Sequence, residues 1–295
     1  MRESRSRAWT PSIVALTSLL ALVMGSLTVT ATPAAAAPRF GGTVFERPGE
    51  TYAQAYQRVT RTYGNLDAIR LFFPGAPSPW RKIRAKVHQT PVVVSFRMDP
   101  QAVASGRYDR SMRRWFATAP TNRPTYWSYW HEPENDSVNK TAYRRAWRHL
   151  DKLADRAKNR QLKSTLILMC WTLERASGRN WRSYYAGPRA IRVLAFDCYN
   201  TGRKNNVYKS PRDILRPVAQ LARRVGKPWG IAEFGTTSIK SDGGNRGRAA
   251  WLRRYANHVH KKGGVFATYF DSKVGYDYRL HDRVSRTAWR KVVQR

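Results

Sequence analysis

Short apolar runs recur along the chain, and the stretches between them return their apolar residues at the three-and-four spacing of helices. The runs are FGGTVFE (40–46), AIRLFFPG (68–75), PVVVSFR (91–97), TYWSYWHE (125–132), STLILMCW (164–171), VLAFDCYN (193–200), PWGIAEFG (228–235) and GVFATYFD (264–271). Runs of this length, rich in β-branched and aromatic residues, read as buried strands. Helical spacing is found at 50–63, 78–88, 108–119, 143–160, 210–226 and 248–263. Ser210 with Pro211 predicts a cap and first turn, and Gly226 and Gly263 predict stops. The fifth connection, 179–191, has helical length but carries Gly187 and Pro188. Strands alternating with helices imply parallel pairing and right-handed crossovers. Eight units in roughly 250 residues predict an α/β fold of the closed (β/α)8 TIM-barrel type. A doubly wound open sheet is the alternative, but FGG at 40–42 is no dinucleotide fingerprint.

The amino terminus modifies this picture. Arg2, Arg5 and Arg7 precede an apolar stretch from Ile13 to Met24, and TPAAAAP follows at 32–38. That order predicts a secretory signal peptide over residues 1–37, too short for a membrane span, with an uncleaved anchor as the bland alternative. A single catalytic domain over 38–295 is expected, secreted, extracellular and monomeric. The chain carries a formal net charge of +35, of which the leader accounts for only two. Such a field attracts any polyanion, so an anionic cell-envelope polymer is a candidate partner, although Arg on solvated helix faces produces the same total. With only Cys170 and Cys198, a disulfide-built scaffold is excluded, and pairing of these two stays open.

In a barrel the chemistry collects at the carboxyl ends of the strands. Here those ends carry Phe72 and Phe73, Arg97 and Asp99, His131 and Glu132, Trp171, Asp197 with Tyr199 and Asn200, Glu233, and Tyr269 with Asp271. Glu132 and Glu233 are isolated acids closing apolar strands, a costly placement unless they are paired, hydrogen-bonded or used. Two carboxylates facing each other across a barrel mouth can cleave a glycosidic bond, one protonating the leaving oxygen and the other attacking the anomeric carbon. That chemistry needs no metal or cofactor. No HxH, DxD or HxxxH cluster stands at a strand end, which disfavours a nuclease-like reading and nucleic acid as a partner.

WHEPE (130–134), FDCYN (196–200) and IAEFG (231–235) together resemble clan A of the glycoside hydrolases, and His131 before Glu132 resembles family 26, best known for endo-β-mannanases. The resemblance implies Glu132 as acid/base, Glu233 as nucleophile, His131 as a hydrogen-bonding group in the cleavage subsite and Tyr199 as the phenol orienting the nucleophile. Trp130 is expected to desolvate Glu132. The family's Trp on the eighth strand is replaced by Tyr269 and Phe270, which bears on substrate more than on chemistry. Trp171 is the best sugar-stacking candidate. Trp181, Tyr184 and Tyr185 are weaker ones, while strand alternation turns Trp127 into the core. Arg70, Arg97, Asp197 and Asp271 are further candidates for orienting a carboxylate or a sugar hydroxyl, and Asp99 before Pro100 reads as a turn residue. The expected substrate is β-linked polysaccharide: mannan or a related glucan or xylan. The competing reading is a catalytically silent barrel that binds carbohydrate or a wall polyanion.

Overall fold

The computed structural model describes residues 37–295 apart from His88. The expected leader therefore lies, but for Ala37, outside the described residues. Eight strands, β1 (Arg39–Thr43), β2 (Ala68–Phe73), β3 (Val92–Phe96), β4 (Thr125–Tyr129), β5 (Leu162–Met169), β6 (Val193–Asp197), β7 (Trp229–Phe234) and β8 (Gly264–Tyr269), close into a barrel in chain order. Every neighbouring pair is parallel, including β8 with β1. This is the (β/α)8 architecture expected from the alternation of runs, and all eight runs are strands. A two-residue hairpin, β9 (Lys273–Val274) and β10 (Tyr276–Asp277), follows β8 at the carboxyl rim.

The outer layer comprises α1 (Tyr52–Tyr63), α2 (Trp80–Val87), α3 (Pro100–Ala104), α4 (Asp109–Ala117), α5 (Lys140–Arg156), α6 (Pro211–Val225), α7 (Arg246–Lys261) and α8 (Arg283–Val293). Local chemistry explains their ends. Thr51 and Gln54 form a reciprocal capping box before α1, Asn139 caps α5 through the N–H groups of Thr141 and Ala142, and Asp282 caps α8. Ser210 occupies the N-cap of α6, but its side chain makes no capping hydrogen bond; Pro211 at the first turn sets the start. The short α3 and the final α8 come in addition to the helices read from spacing. The fifth crossover has no α-helix: three 3-10 turns, Cys170–Leu173, Arg175–Ser177 and Trp181–Ser183, bridge β5 to β6. Gly187, at φ 111°, and Pro188 interrupt the only stretch long enough to form one.

The barrel floor is plugged. Val93, Tyr126, Ile167, Val193, Ala195, Ala232 and Phe266 form a buried cluster inside the strands. Phe266 enters because Gly230 leaves room: a Cβ there would stand 2.6 Å from the Phe266 ring. Anything that reaches the polar groups above this plug must come from the carboxyl rim.

Candidate active site

The end of β4 is built to turn a side chain over the pore. Trp127 points outward, fully buried and stacked on Trp147 of α5 at 5.0 Å between centroids. Beyond Tyr129 the backbone enters the left-handed region at Trp130 (φ 51°) and again at Glu132 (φ 50°), unusual for residues with side chains. Three anchors hold that path. Trp130 N–H donates to the Phe96 carbonyl at 2.8 Å and Glu132 N–H to the Ile167 carbonyl at 3.0 Å, so the turn is sewn to both adjacent strands. Tyr143 Oη donates to the carbonyls of Tyr129 and Trp130. A 3-10 turn, Pro133–Asn135, then brings Asn135 Nδ2 within 2.8 Å of Glu132 Oε2.

Glu233 arrives differently. In β7, Gly230 and Ala232 face the barrel interior, so strict alternation would send Glu233 outward. Register shifts on both flanks, between Phe196 and Asp197 and between Ile231 and Phe234, turn it inward instead. There it accepts a hydrogen bond from Tyr199 Oη at 2.7 Å and an ion-pair hydrogen bond from Arg70 Nη2 at 3.2 Å. Arg70, fully buried, also donates to the Leu71 carbonyl and lies 4.0 Å from the Phe72 ring centre. Asp197 at the end of β6 completes the cluster. One carboxylate oxygen each from Glu132, Asp197 and Glu233 lie within 4.8 Å of one another.

Three acids and one guanidinium in a dry pore cannot all be ionised at once. Burial pushes the Glu132 carboxyl up to about 7, and the charge of Glu233 adds to it. Burial lifts Asp197 well above the carboxylate range, with Glu233 and Glu132 contributing. Neither Asp197 oxygen receives an N–H or O–H donor, so a proton of its own, shared toward Glu132, is what satisfies it. Burial also raises Glu233, but Arg70 and Tyr199 both act to keep it ionised. Of the three acids it alone has a cation and a phenol, so it is the one that holds the negative charge. The same three oxygens are near enough to grip one cation. Arg70 already sets a positive charge against Glu233, and burial favours protons on the other two, which both work against a metal.

The remaining residues sort by position. His131 is half-buried with its ring 5.5 Å from Phe72; burial first, then Arg70 and Arg97, hold its pKa down to about 3, so the imidazole is neutral. Trp130 donates from Nε1 to Asp136 at 2.7 Å and carries Arg97 4.1 Å above its ring, a rim pairing beside Glu132. Trp171 stands 42% exposed on the first turn after β5. Cys170 and Cys198 form a disulfide that ties this turn to the residues flanking Tyr199. Asp99 caps α3 through the Ala102 N–H, in line with the turn reading. Asp271 accepts from Tyr63 Oη and Leu280 N–H, a loop-stitching role.

Tyr269 is a correction. It is 1% exposed, donates from Oη to the Tyr278 carbonyl at 2.6 Å and packs on Phe234 and Trp289, on the helix side of β8. Alternation places the next residue, Phe270, toward the mouth instead. Trp181 and Tyr184 are likewise buried and offer no open ring face.

Sequence reasoning overlooked two features. Phe45 stacks on Phe72 at 5.5 Å and meets Phe270 edge-on at 5.7 Å, and Phe270 reaches Tyr199 at 5.9 Å, so an aromatic wall lines the β1–β2–β8 side. Phe45 was legible only as the end of the first run. Glu134 stands in the same motif two residues past Glu132, and its Oε1 accepts from Met169 N–H at 2.6 Å and Thr172 Oγ1 at 2.7 Å. It pins the turn that displays Trp171.

No family model and no curated protein matches the chain. Solved structures do. A family 26 β-mannanase from Bacteroides ovatus superposes with a TM-score of 0.58 at 14% identity, over 87% of this chain and 88% of that one. A modular endo-β-1,4-mannanase from Cellulomonas fimi gives 0.59 at 14% identity, over 87% and 70%. Thermotoga maritima Cel5A, solved with mannotriose, gives 0.55 at 9% identity, over 86% and 96%. At such identities the likeness is one of architecture, and in architecture the chain is similar to the barrels of glycoside hydrolase family 26.

Proposed function

We propose that the protein is a retaining O-glycoside hydrolase acting on β-linked polysaccharide, mannan or a related glucan or xylan. One observation carries the reading: two glutamates whose oxygens approach within 4.8 Å are given opposite electrostatic treatment. A separation of about 5 Å between the carboxyl groups leaves room for a sugar carbon but not for an intervening water, which is the condition for retention. Glu132, still protonated near neutrality, gives its proton to the glycosidic oxygen as Glu233 attacks the anomeric carbon. The C–O bond to the leaving sugar breaks and a glycosyl ester forms on Glu233. Glu132, now a carboxylate, takes a proton from water; the hydroxide attacks the same carbon and frees Glu233. Neutral His131 can donate to or accept from a sugar hydroxyl in this subsite. The family likeness in fold and the open face of Trp171 support a polymeric substrate. The expected leader supports secretion.

The test is product release from mannan, mixed-linkage glucan and xylan by the wild-type protein beside Glu233→Ala. The wild type is expected to release reducing sugar of the substrate's own anomeric configuration. Glu233→Ala is expected to be silent until azide is added, and then to form the glycosyl azide of inverted configuration. Equal product from the two proteins overturns the mechanism.

A further inference from the structure

The face opposite the catalytic mouth has a chemistry of its own. In this barrel every crossover helix runs away from the rim, so the helix carboxyl ends, with their partial negative charge, gather at the base. Lys and Arg answer them there: Arg61 on α1, Arg156 on α5, Arg223 and Arg224 on α6, Lys261 on α7 and Lys291 on α8. Among the described residues, acids near strand starts or helix ends are Asp67, Asp151 and Asp155; the others follow strands or open helices at the rim. The acids that could offset this charge therefore stand mostly at the opposite end of the barrel.

The cations exceed what the helix ends require. Two cavities, of about 610 and 520 Å³, open beneath β4–β8 and beside the end of α5, and share a wall of Asp155, Lys163 and Arg192. Arg189 and Lys227 line the first, Lys158 and Arg160 the second. Asp155 is paired with Arg192, and Asp151 on the second wall is buried. Lys158, Arg160, Lys163 and Arg189 have no acidic partner among the described residues. Partial burial, and then the charge of Arg192, lower the Lys227 pKa, so cations here crowd one another in a way a bound anion would relieve.

We propose that this basal trough binds an anionic glycan chain, its charge carried by carboxylates or phosphodiesters, leaving the catalytic mouth free. The cavities are in the size range that receives small ligands and single chains, whereas a nucleic-acid duplex is too broad to enter. Single-stranded nucleic acid and lipid surfaces are met by exposed rings and apolar side chains. The large apolar residues that stand exposed, Trp171, Val207, Val274, Tyr276 and Val284, all lie at the rim end. What the base offers is charge around hollows whose walls also include Pro188, Val193, Pro228 and Val265, with no large exposed ring among the described residues.

Binding is measured by titration against polygalacturonate, a glycerol-phosphate polymer, neutral mannan and duplex DNA across a salt series. Saturable binding to one or both anionic polymers at physiological salt, with none to mannan, is expected, and the stronger of the two identifies the charged group. Arg160→Glu with Arg189→Glu is expected to weaken binding about tenfold or more and flatten the salt slope, with turnover of neutral polymer unchanged. Arg253→Glu with Arg254→Glu, an equal change of charge on the exposed side of α7, is expected to do much less. Glu233→Gln is expected to bind as the wild type does, which separates this site from the carboxylate chemistry. The proposal fails if neither polymer binds, if the two double variants weaken binding equally, or if DNA binds more tightly than both polymers at every salt.

Discussion

The ends of β4 and β7 each present a glutamate to the same pore, and they do so by unlike means. At β4 the regular strand has finished: Glu132 sits on a left-handed turn, half-buried, touched by the neutral amide of Asn135. At β7 the strand continues through Glu233, which is 5% exposed and held by a guanidinium and a phenol. A group that must trade protons with a leaving oxygen and with water needs access and a pKa near the working pH. A group that must attack carbon needs fixed position and a stable negative charge. The contrast in backbone and in partners is thus the contrast between an acid/base and a nucleophile.

Removing each carboxylate in turn sharpens the comparison most. Glu233→Gln is expected to lower kcat by on the order of 10⁴-fold or more on every substrate, because no other group at the site can attack. Glu132→Gln is expected to cost about 10²–10⁴-fold on polysaccharide. On an aryl glycoside whose leaving group departs without a proton, the burst of aryl release in the Glu132 variant is expected to persist. If both variants fail equally on that substrate, the division of labour is wrong.

Next in size is the charge on Glu233. Tyr199→Phe removes a hydrogen bond to a charged group, a loss of about 1.5–3 kcal/mol, or roughly 10- to 100-fold in kcat with KM little changed. Circular dichroism should report an intact fold.

The pH profile probes the other side of the comparison. With Glu132 raised to about 7, kcat/KM is expected to fall as pH rises through that value, and Glu132→Gln should abolish this limb. The same shift bears on stability. The folded state binds the Glu132 proton more tightly than the unfolded chain, so its contribution is complete below the ordinary Glu pKa and lost as pH rises through about 7. Glu132→Gln should therefore stabilise the fold more at pH 8 than at pH 5, by about 1–3 kcal/mol, read from denaturant melts. A difference of the opposite sign would mean that Glu132 is ionised and paired in the folded protein.

Much of this was legible in the chain because barrel strands buried on both sides leave dense apolar runs, and an acid at the end of one is conspicuous. What was not legible follows from geometry that pattern cannot carry. Alternation predicts Trp127 correctly, since β4 is regular there, and with Phe266 inside it also sends Tyr269 to the helices, but it gives no warning that register shifts turn Glu233 inward. At 179–191 the breakers Gly187 and Pro188, legible in the run, count for more than its helical length, and no α-helix forms. Arg70 was legible as one of four candidates for orienting a carboxylate or a sugar hydroxyl, but nothing local set it above Arg97, Asp197 and Asp271 as the one whose guanidinium reaches Glu233.

The smallest expected effect lies where the β4 end acts at a distance. Glu134 accepts two hydrogen bonds from the turn that carries Trp171, so the β4 loop that aims Glu132 also holds an exposed indole in place. Trp171→Ala deletes a stacking face worth about 0.5–1.5 kcal/mol, a two- to tenfold rise in KM for polysaccharide with kcat and aryl-glycoside turnover unchanged. Glu134→Gln keeps the shape but weakens acceptance, and should reproduce part of that rise while leaving the pH limb of Glu132 in place. If instead Glu134→Gln moves the limb and leaves KM alone, Glu134 acts on the acid/base through its charge, and the β4 end is a two-carboxylate device rather than a proton donor with a sugar platform attached.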